Sequence, residues 1–316
     1  MFLKFVQSLF AVSILIVLSG CQKEISDLHK GAGNPNLAEF FKQTSSSSMQ
    51  SFSFNTNTGA TIKGKKGSGF SFQPLSFVDL NGNLIRGNVK IDVLEILTPA
   101  DIILNDAATM SNGLPLESGG AFYIGATYNN AKANLAPGKF VKIDLTSSSA
   151  SLPGMQVFTG YIQDTTGAAG QDTSGMLNWV VNNSQGNRIS TDSMPGNGIP
   201  KLFSDSLEWI NCDRYVNEPK IKCSFLVENN PDKDSTAMFI QFTGRNSVMR
   251  IHQDANDIFA SSVLIAGPAT IVGICVKDQK LYTSIKDVSL QAQQSFTMKF
   301  SEDTEEALKA KLQSLK

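Results

Sequence analysis

Two histidines, four cysteines and a scattered set of acids are the side chains of this sequence that could do chemistry. His29 lies in a polar amino-terminal stretch where nothing local would hold it in a fixed geometry. His252 sits in "MRIHQDAND", beside Asp254 and Asp257. A Ser-His-Asp site needs its base fixed by a third group, and none of the serines stands in a setting such as G-x-S-x-G. His252 is therefore expected at a strand edge, and no catalytic residue is assigned. Dispersed histidines and separated cysteines also lack zinc-ligand spacing. Asn230-Pro231-Asp232-Lys233-Asp234 places oxygens at alternate positions, as the first half of an EF-hand loop does. Ser235 stands where that loop needs glycine, and Gln241 where it needs a bidentate glutamate. A hairpin loop is expected there, and neither a metal nor another cofactor. Glu95, Glu117 and Glu208 are the acids to consider as a glycosidase pair, with structural hydrogen bonds or exposed faces as the simpler roles.

Cysteine and tryptophan carry more information. Cys212 and Cys223 flank "DRYVNEPKIK", whose centre reads as a turn, so the two would face each other across a hairpin. They are a candidate disulfide in an exported chain, with two separate core thiols as the favoured reading. Cys275, in "IVGICV", reads as a small core residue. Trp179 and Trp209 have apolar neighbours that favour burial. Exposed on a β-sandwich, Trp179 or Tyr161 would instead be a candidate for stacking on a sugar.

The amino-terminal segment supplies an address. Lys4 is the only charge before Cys21, and Phe5 to Leu18 is almost wholly apolar. About 14 apolar residues are too few for a spanning helix, which needs roughly 20. Basic start, apolar middle and small-residue exit make residues 1–20 a secretory signal. Its end, Leu18-Ser19-Gly20-Cys21, resembles the bacterial lipobox. That resemblance implies cleavage before Cys21 and a diacylglycerol thioether on its sulfur. Buried acyl chains then hold a soluble domain at about 0.8 kcal/mol per methylene, with no spanning helix. Gln22 in place of aspartate implies, by the same resemblance, the outer membrane. Gln22-Lys23-Glu24 is similar to the short charged signal that sends Bacteroidota lipoproteins to the cell surface.

Removing residues 1–20 takes Lys4 away and leaves 26 basic against 28 acidic residues, a formal −2. Such a chain has no electrostatic footprint for nucleic acid and no basic stripe for anionic lipid. It is 17% charged and holds 20 Phe, a profile of a β-rich exported protein. The expected fold is mostly β: two β-sandwich-like modules plus a short C-terminal helix. Residues 21–50 read as a flexible tether, with the Ser45–Ser48 run as linker. Over 51–148, period-two segments such as "GFSFQPLSFV" and "NVKIDVLEI" alternate with turns such as Asn81-Gly82, and predict the first module. Residues 149–206 are a Gly/Ser/Asn-rich connection whose apolar islands, "MQVFTGYI" and "MLNWVV", are expected to pair with the first sheet. Seven or eight strand segments over 207–300 predict the second module. Within 301–316 a helix is expected, capped by Ser301 or Asp303, with Leu308, Leu312 and Leu315 on one face.

Residues 67–126, with "GSGFSFQPLSFVDLNGNLIRGNVKIDVLEI" and "LESGG", and residues 208–215, "EWINCDRY", resemble segments of uncharacterised Bacteroidota envelope lipoproteins. The first module is more distantly similar to the β-sandwich shared by zonula-occludens, netrin-receptor and ankyrin proteins. The resemblance implies binding or structural modules and carries over no catalytic residue. Asp-Ser/Thr triplets at Thr165, Ser193, Ser206 and Ser235 resemble the Bacteroidota O-glycosylation acceptor motif, while Asp-Ser and Asp-Thr also begin turns. The expected function is that of a non-enzymatic structural, adhesive or accessory binding protein on the cell surface, held by its lipid and partnered by a glycan or an envelope protein. A glycan-binding lipoprotein serving an uptake system is the alternative, and a hydrolase the third reading.

Overall fold

The structure is a computed structural model and describes residues 35–162, 176–190, 199–229, 232–253 and 258–315. It is mostly β, arranged as sheets in layers, with three α-helices among the described residues. A central antiparallel sheet runs in the order Gln50–Asn55, Asn88–Ile96, Leu114–Tyr128, Glu208–Tyr215, Gln156–Ile162, Leu177–Val181. On one face lies an outer sheet, ordered Arg188–Ser190, Lys201–Ser204, Val141–Asp144, Gly69–Phe72, Ala60–Lys63. Val89, Ile91, Val93, Phe122 and Ile210 of the central sheet meet Phe70, Val141, Ile143 and Leu202 of the outer sheet in a common core. The first module is thus a sandwich.

The second module is an eight-stranded sheet, ordered Gln294–Lys299, Lys220–Glu228, Phe259–Ile265, Val248–Gln253, Thr236–Phe242, Gly267–Lys277, Lys280–Leu290, Ser301–Asp303. It curls almost into a barrel. Lys286, on Lys280–Leu290, the strand before last, reaches back to the first strand and donates to the Thr297 carbonyl at 3.2 Å. Met238, Ile240, Met249, Ile271, Met298 and Phe300 fill its interior. Alternate residues of the same strands, including Ala237, Phe239, Val248, Val272 and Ile274, point outward into a core shared with the central sheet. The central sheet is therefore covered on both faces, and Ile91–Ile96 is buried without a break. Period two disappears wherever a strand has two covered faces.

Three helices fill this shared core. Helix α1, Pro35–Ser48, buries Leu37 and Phe41, one turn apart on one face. Helix α2, Pro99–Leu104, starts with a capping box: Thr98 accepts from the Asp101 amide at 3.2 Å and Asp101 accepts from the Thr98 amide at 3.0 Å. Helix α3, Glu305–Gln313, buries Leu308 and Leu312.

Four expectations change. The segment taken as a tether over 21–50 is helix and core from residue 35 onward, because Thr44 and Ser45 are small enough to be buried against the sheets. The two apolar islands of the connection over 149–206 pair with the central sheet as expected, but the connection also supplies two outer strands, so it is part of the first module and not a link between modules. The boundary between modules lies after Tyr215 and not at 207, because Glu208–Tyr215 pairs with Leu114–Tyr128 and Gln156–Ile162. The C-terminal helix is capped by Thr304, which accepts from the Ala307 amide at 3.1 Å, while Ser301 and Asp303 belong to a strand.

Candidate functional site

The residues nominated for chemistry are placed apart and are engaged in holding the fold. Glu95 is buried, and the loop Gly64–Ser68 closes around its carboxylate. It accepts from the amides of Lys66 (3.0 Å) and Ser68 (3.1 Å) and from Gln50 Nε2 (2.9 Å). Successive backbone N–H groups make an anion-holding nest, here filled from inside the chain. A Cβ at Gly64 would lie 2.2 Å from that carboxylate, which is why the loop needs glycine there. Glu117 accepts from Arg214 Nε (3.0 Å) and Nη2 (2.6 Å), and Arg245 Nη1 stands 3.8 Å away. Arg245 also pairs with Glu218, so this charged row joins the central sheet to the second module. Glu208 pairs with Lys132. The three acids form no pair with one another.

His252 is half-buried on the strand Val248–Gln253, paired with Ala260, while Asp254 and Asp257 lie outside the described residues. In the loop considered for calcium, Asn230 and Pro231 also lie outside them. Asp232 Oδ1 accepts from the amides of Asp234 (3.1 Å) and Ser235 (3.3 Å), so this carboxylate organises a turn. Among the described residues no three His, Cys, Asp or Glu side chains are grouped to hold a metal ion.

The candidate disulfide between Cys212 and Cys223 does not form, and the favoured reading of two separate core thiols holds: both are free and buried. Their strands are not paired, so the supposed hairpin does not form. Cys212 lies in the sandwich core, and Cys223 lies in the barrel interior and donates to the Gln291 carbonyl at 3.2 Å. Burial pushes both thiols up, Cys212 furthest. Cys275 is a third buried thiol. Trp179 is fully buried, donates to the Ala108 carbonyl at 3.1 Å and packs edge-on against Trp209. It is core and presents no face to a sugar. Tyr161 is 45% exposed, its hydroxyl held at 2.6 Å by Asn178. Of the glycosylation candidates, Ser235 is buried and donates to the Val276 carbonyl at 2.5 Å, which removes it as an acceptor in the folded chain. Ser206 is half-buried in a bend, whereas Thr165 and Ser193 lie outside the described residues, as does Cys21.

Three buried ionisable side chains carry no signal in the sequence. Asp106 and Arg250 form an ion pair inside the core between the modules, where Arg250 also lies over Phe239 (5.0 Å) and Phe41 (5.9 Å). Burial raises the Asp106 carboxyl and the guanidinium pulls it back. Asp213 is wholly buried beside the irregularity in pairing between Asn211 and Asp213, and accepts from Asn211 Nδ2 at 2.6 Å. Burial raises it well above the ordinary carboxyl value of 3.8, against a lowering hydrogen bond from Ser118. A carboxyl raised in the folded state contributes stability that is complete below the unfolded value. That contribution is lost as pH rises from about 4 through the folded value. Asp213→Asn removes this slope, so its stability relative to wild type rises between pH 4 and 7, measured by urea unfolding at each pH.

Open surface carries the remaining candidates. A cleft of about 640 Å³ lies between α1 and the C-terminal segment, lined by Glu39, Phe40, Gln43, Lys280, Leu281 and Glu302 among others. Its charges are largely matched within the chain: Lys280 donates to Glu302 at 3.0 Å and Gln43 to Glu39 at 3.1 Å. The solvent face of the outer sheet carries Arg188 stacked on Phe203 and Phe140. No protein-family model matches the chain, and no curated protein sequence matches it.

Proposed function

We propose that this chain is a lipid-anchored protein of the outer membrane, fixed through Cys21 and displayed at the cell surface, with a non-enzymatic binding role. One observation supports the reading: the chain is already part of the core within a few residues of Pro35, the first described residue behind the candidate anchor. Leu37 is fully buried in the core shared by both modules. Fourteen residue steps separate Cys21 from Pro35, a reach of at most about 50 Å. The body is thus held close to the membrane, as suits an accessory binding or structural component better than a long-reaching adhesin. The engagement of Glu95, Glu117 and Glu208 in separate structural contacts favours binding over hydrolysis.

Cys21→Ala tests the anchor. Wild type expressed in a bacterium with lipoprotein processing partitions into the detergent phase on Triton X-114 phase separation. The variant partitions into the aqueous phase, or into the membrane as an uncleaved precursor about 20 residues longer. A mature wild-type protein found in the aqueous phase contradicts the anchor.

A further inference from the structure

We propose that the solvent face of the outer sheet binds a carboxylated polysaccharide, a uronic-acid chain, with Arg188 as its principal contact. The inference names a ligand class for the binding role above and requires of that reading only an accessible body.

Strand register assembles the face. Arg188 lies opposite Phe203, Phe203 opposite Lys142, and Lys142 opposite Ser71, so one row crosses four strands. The next row places Lys201 opposite Asp144 and, beyond Gly69, Lys63. The intervening residues Leu202, Ile143 and Phe70 point inward and fill the sandwich core, so this alternation fixes which side chains face water. Five strands spaced by about 4.8 Å give a track of roughly 20 Å, the scale of an oligosaccharide and not of a single sugar.

The chemistry lies in how Arg188 is held. Its guanidinium carbon stands 4.0 Å from the Phe203 ring centre and 5.5 Å from that of Phe140, whose rings meet edge-on at 5.3 Å. Stacking occupies the flat face of a guanidinium and leaves its N–H edge available, the geometry that receives a carboxylate bidentately. Arg188 is exposed and makes no hydrogen bond or ion pair with any described residue. Among the described residues, Lys63 and Lys142 share the face with one carboxylate, Asp144, 3.4 Å from Lys142 Nζ. Asp205, at the margin, is engaged by Ser184. A chain of formal charge −2 after Cys21 thus concentrates cations on one flat face. That charge suits an anionic chain. A membrane surface fits less well, because docking there needs apolar side chains that insert, whereas Phe140 and Phe203 are half-buried, with Arg188 stacked on them.

The test uses the full chain in a neutral detergent, titrated calorimetrically with an oligogalacturonate, a neutral malto-oligosaccharide of equal length, and mixed micelles of phosphatidylglycerol in the same detergent. The oligogalacturonate binds, more weakly as salt is raised; the neutral sugar does not; Arg188→Gln weakens binding at least tenfold, and Lys142→Gln less. Both positions are on the solvent face, so the fold is retained and circular dichroism verifies it. No binding of oligogalacturonate, equal binding of the neutral sugar, an unchanged affinity in Arg188→Gln, or tighter binding to the phosphatidylglycerol micelles than to the oligogalacturonate each overturns the proposal. Because binding is read on purified protein, its failure leaves the anchor standing, and a failed anchor leaves the site standing.

Discussion

Phe41→Ala lowers the stability of the folded chain by about 3–5 kcal/mol, the cost of emptying a large buried aromatic site. Phe41 is fully buried, meets Phe239 edge-on at 6.2 Å and lies beneath Arg250. Its helix thus joins the segment behind the anchor to the second module, while Leu94 and Ile96 bring the central sheet into the same core. Lys42, one residue on, pairs on the surface with Glu39 at 3.5 Å and with no other described acid, so Lys42→Ala changes stability by less than about 0.5 kcal/mol. The check is urea unfolding of wild type and the two variants. Similar small losses in both would mean that α1 is loosely attached and that the flexible tether extends toward residue 50.

The second large effect is electrostatic. Arg250→Ala leaves Asp106 in the core without its cation and costs about 3–5 kcal/mol at neutral pH, because a buried charge has lost its partner. Burial already favours the protonated form of Asp106. Without Arg250 that preference grows, so the loss shrinks as pH falls toward the carboxyl range and the group enters the core neutral. Removing both charges, as Asp106→Leu with Arg250→Met, recovers most of the stability, since a well-packed apolar pair often replaces a buried ion pair without loss. A four-member unfolding cycle at pH 7 and pH 4.5 reads all of this. Because Arg250 touches Phe41, the two large effects are expected not to add.

The strands were legible where a strand has one wet face. "KFVKIDL" alternates because Val141 and Ile143 face the sandwich core while Lys142 and Asp144 face water. Helix α1 was obscured by its own serines: "TSSSS" has a linker's composition, yet small size is what lets Ser45 pack with no exposure. The capping box around Thr98-Pro99-Ala100-Asp101 was present in the sequence as a helix start and went unread, because the surrounding text is strand. The assignment of Glu208–Tyr215 failed for a different reason. A strand followed by "NEP" looks like the first arm of a hairpin, while its partners lie about 50 and 90 residues earlier, and non-local pairing leaves no local trace. Burial of Trp179 could be read from "MLNWVV". The Arg188–Phe203 stack could not, because it depends on the register between two strands.

Protease treatment of intact cells of the source bacterium, with a periplasmic protein as control, tests the central claim most directly. A body anchored at Cys21 and displayed outward is degraded or nicked while the periplasmic control survives. Survival of the chain until the outer membrane is broken would place the body in the periplasm and contradict the cell-surface binding role.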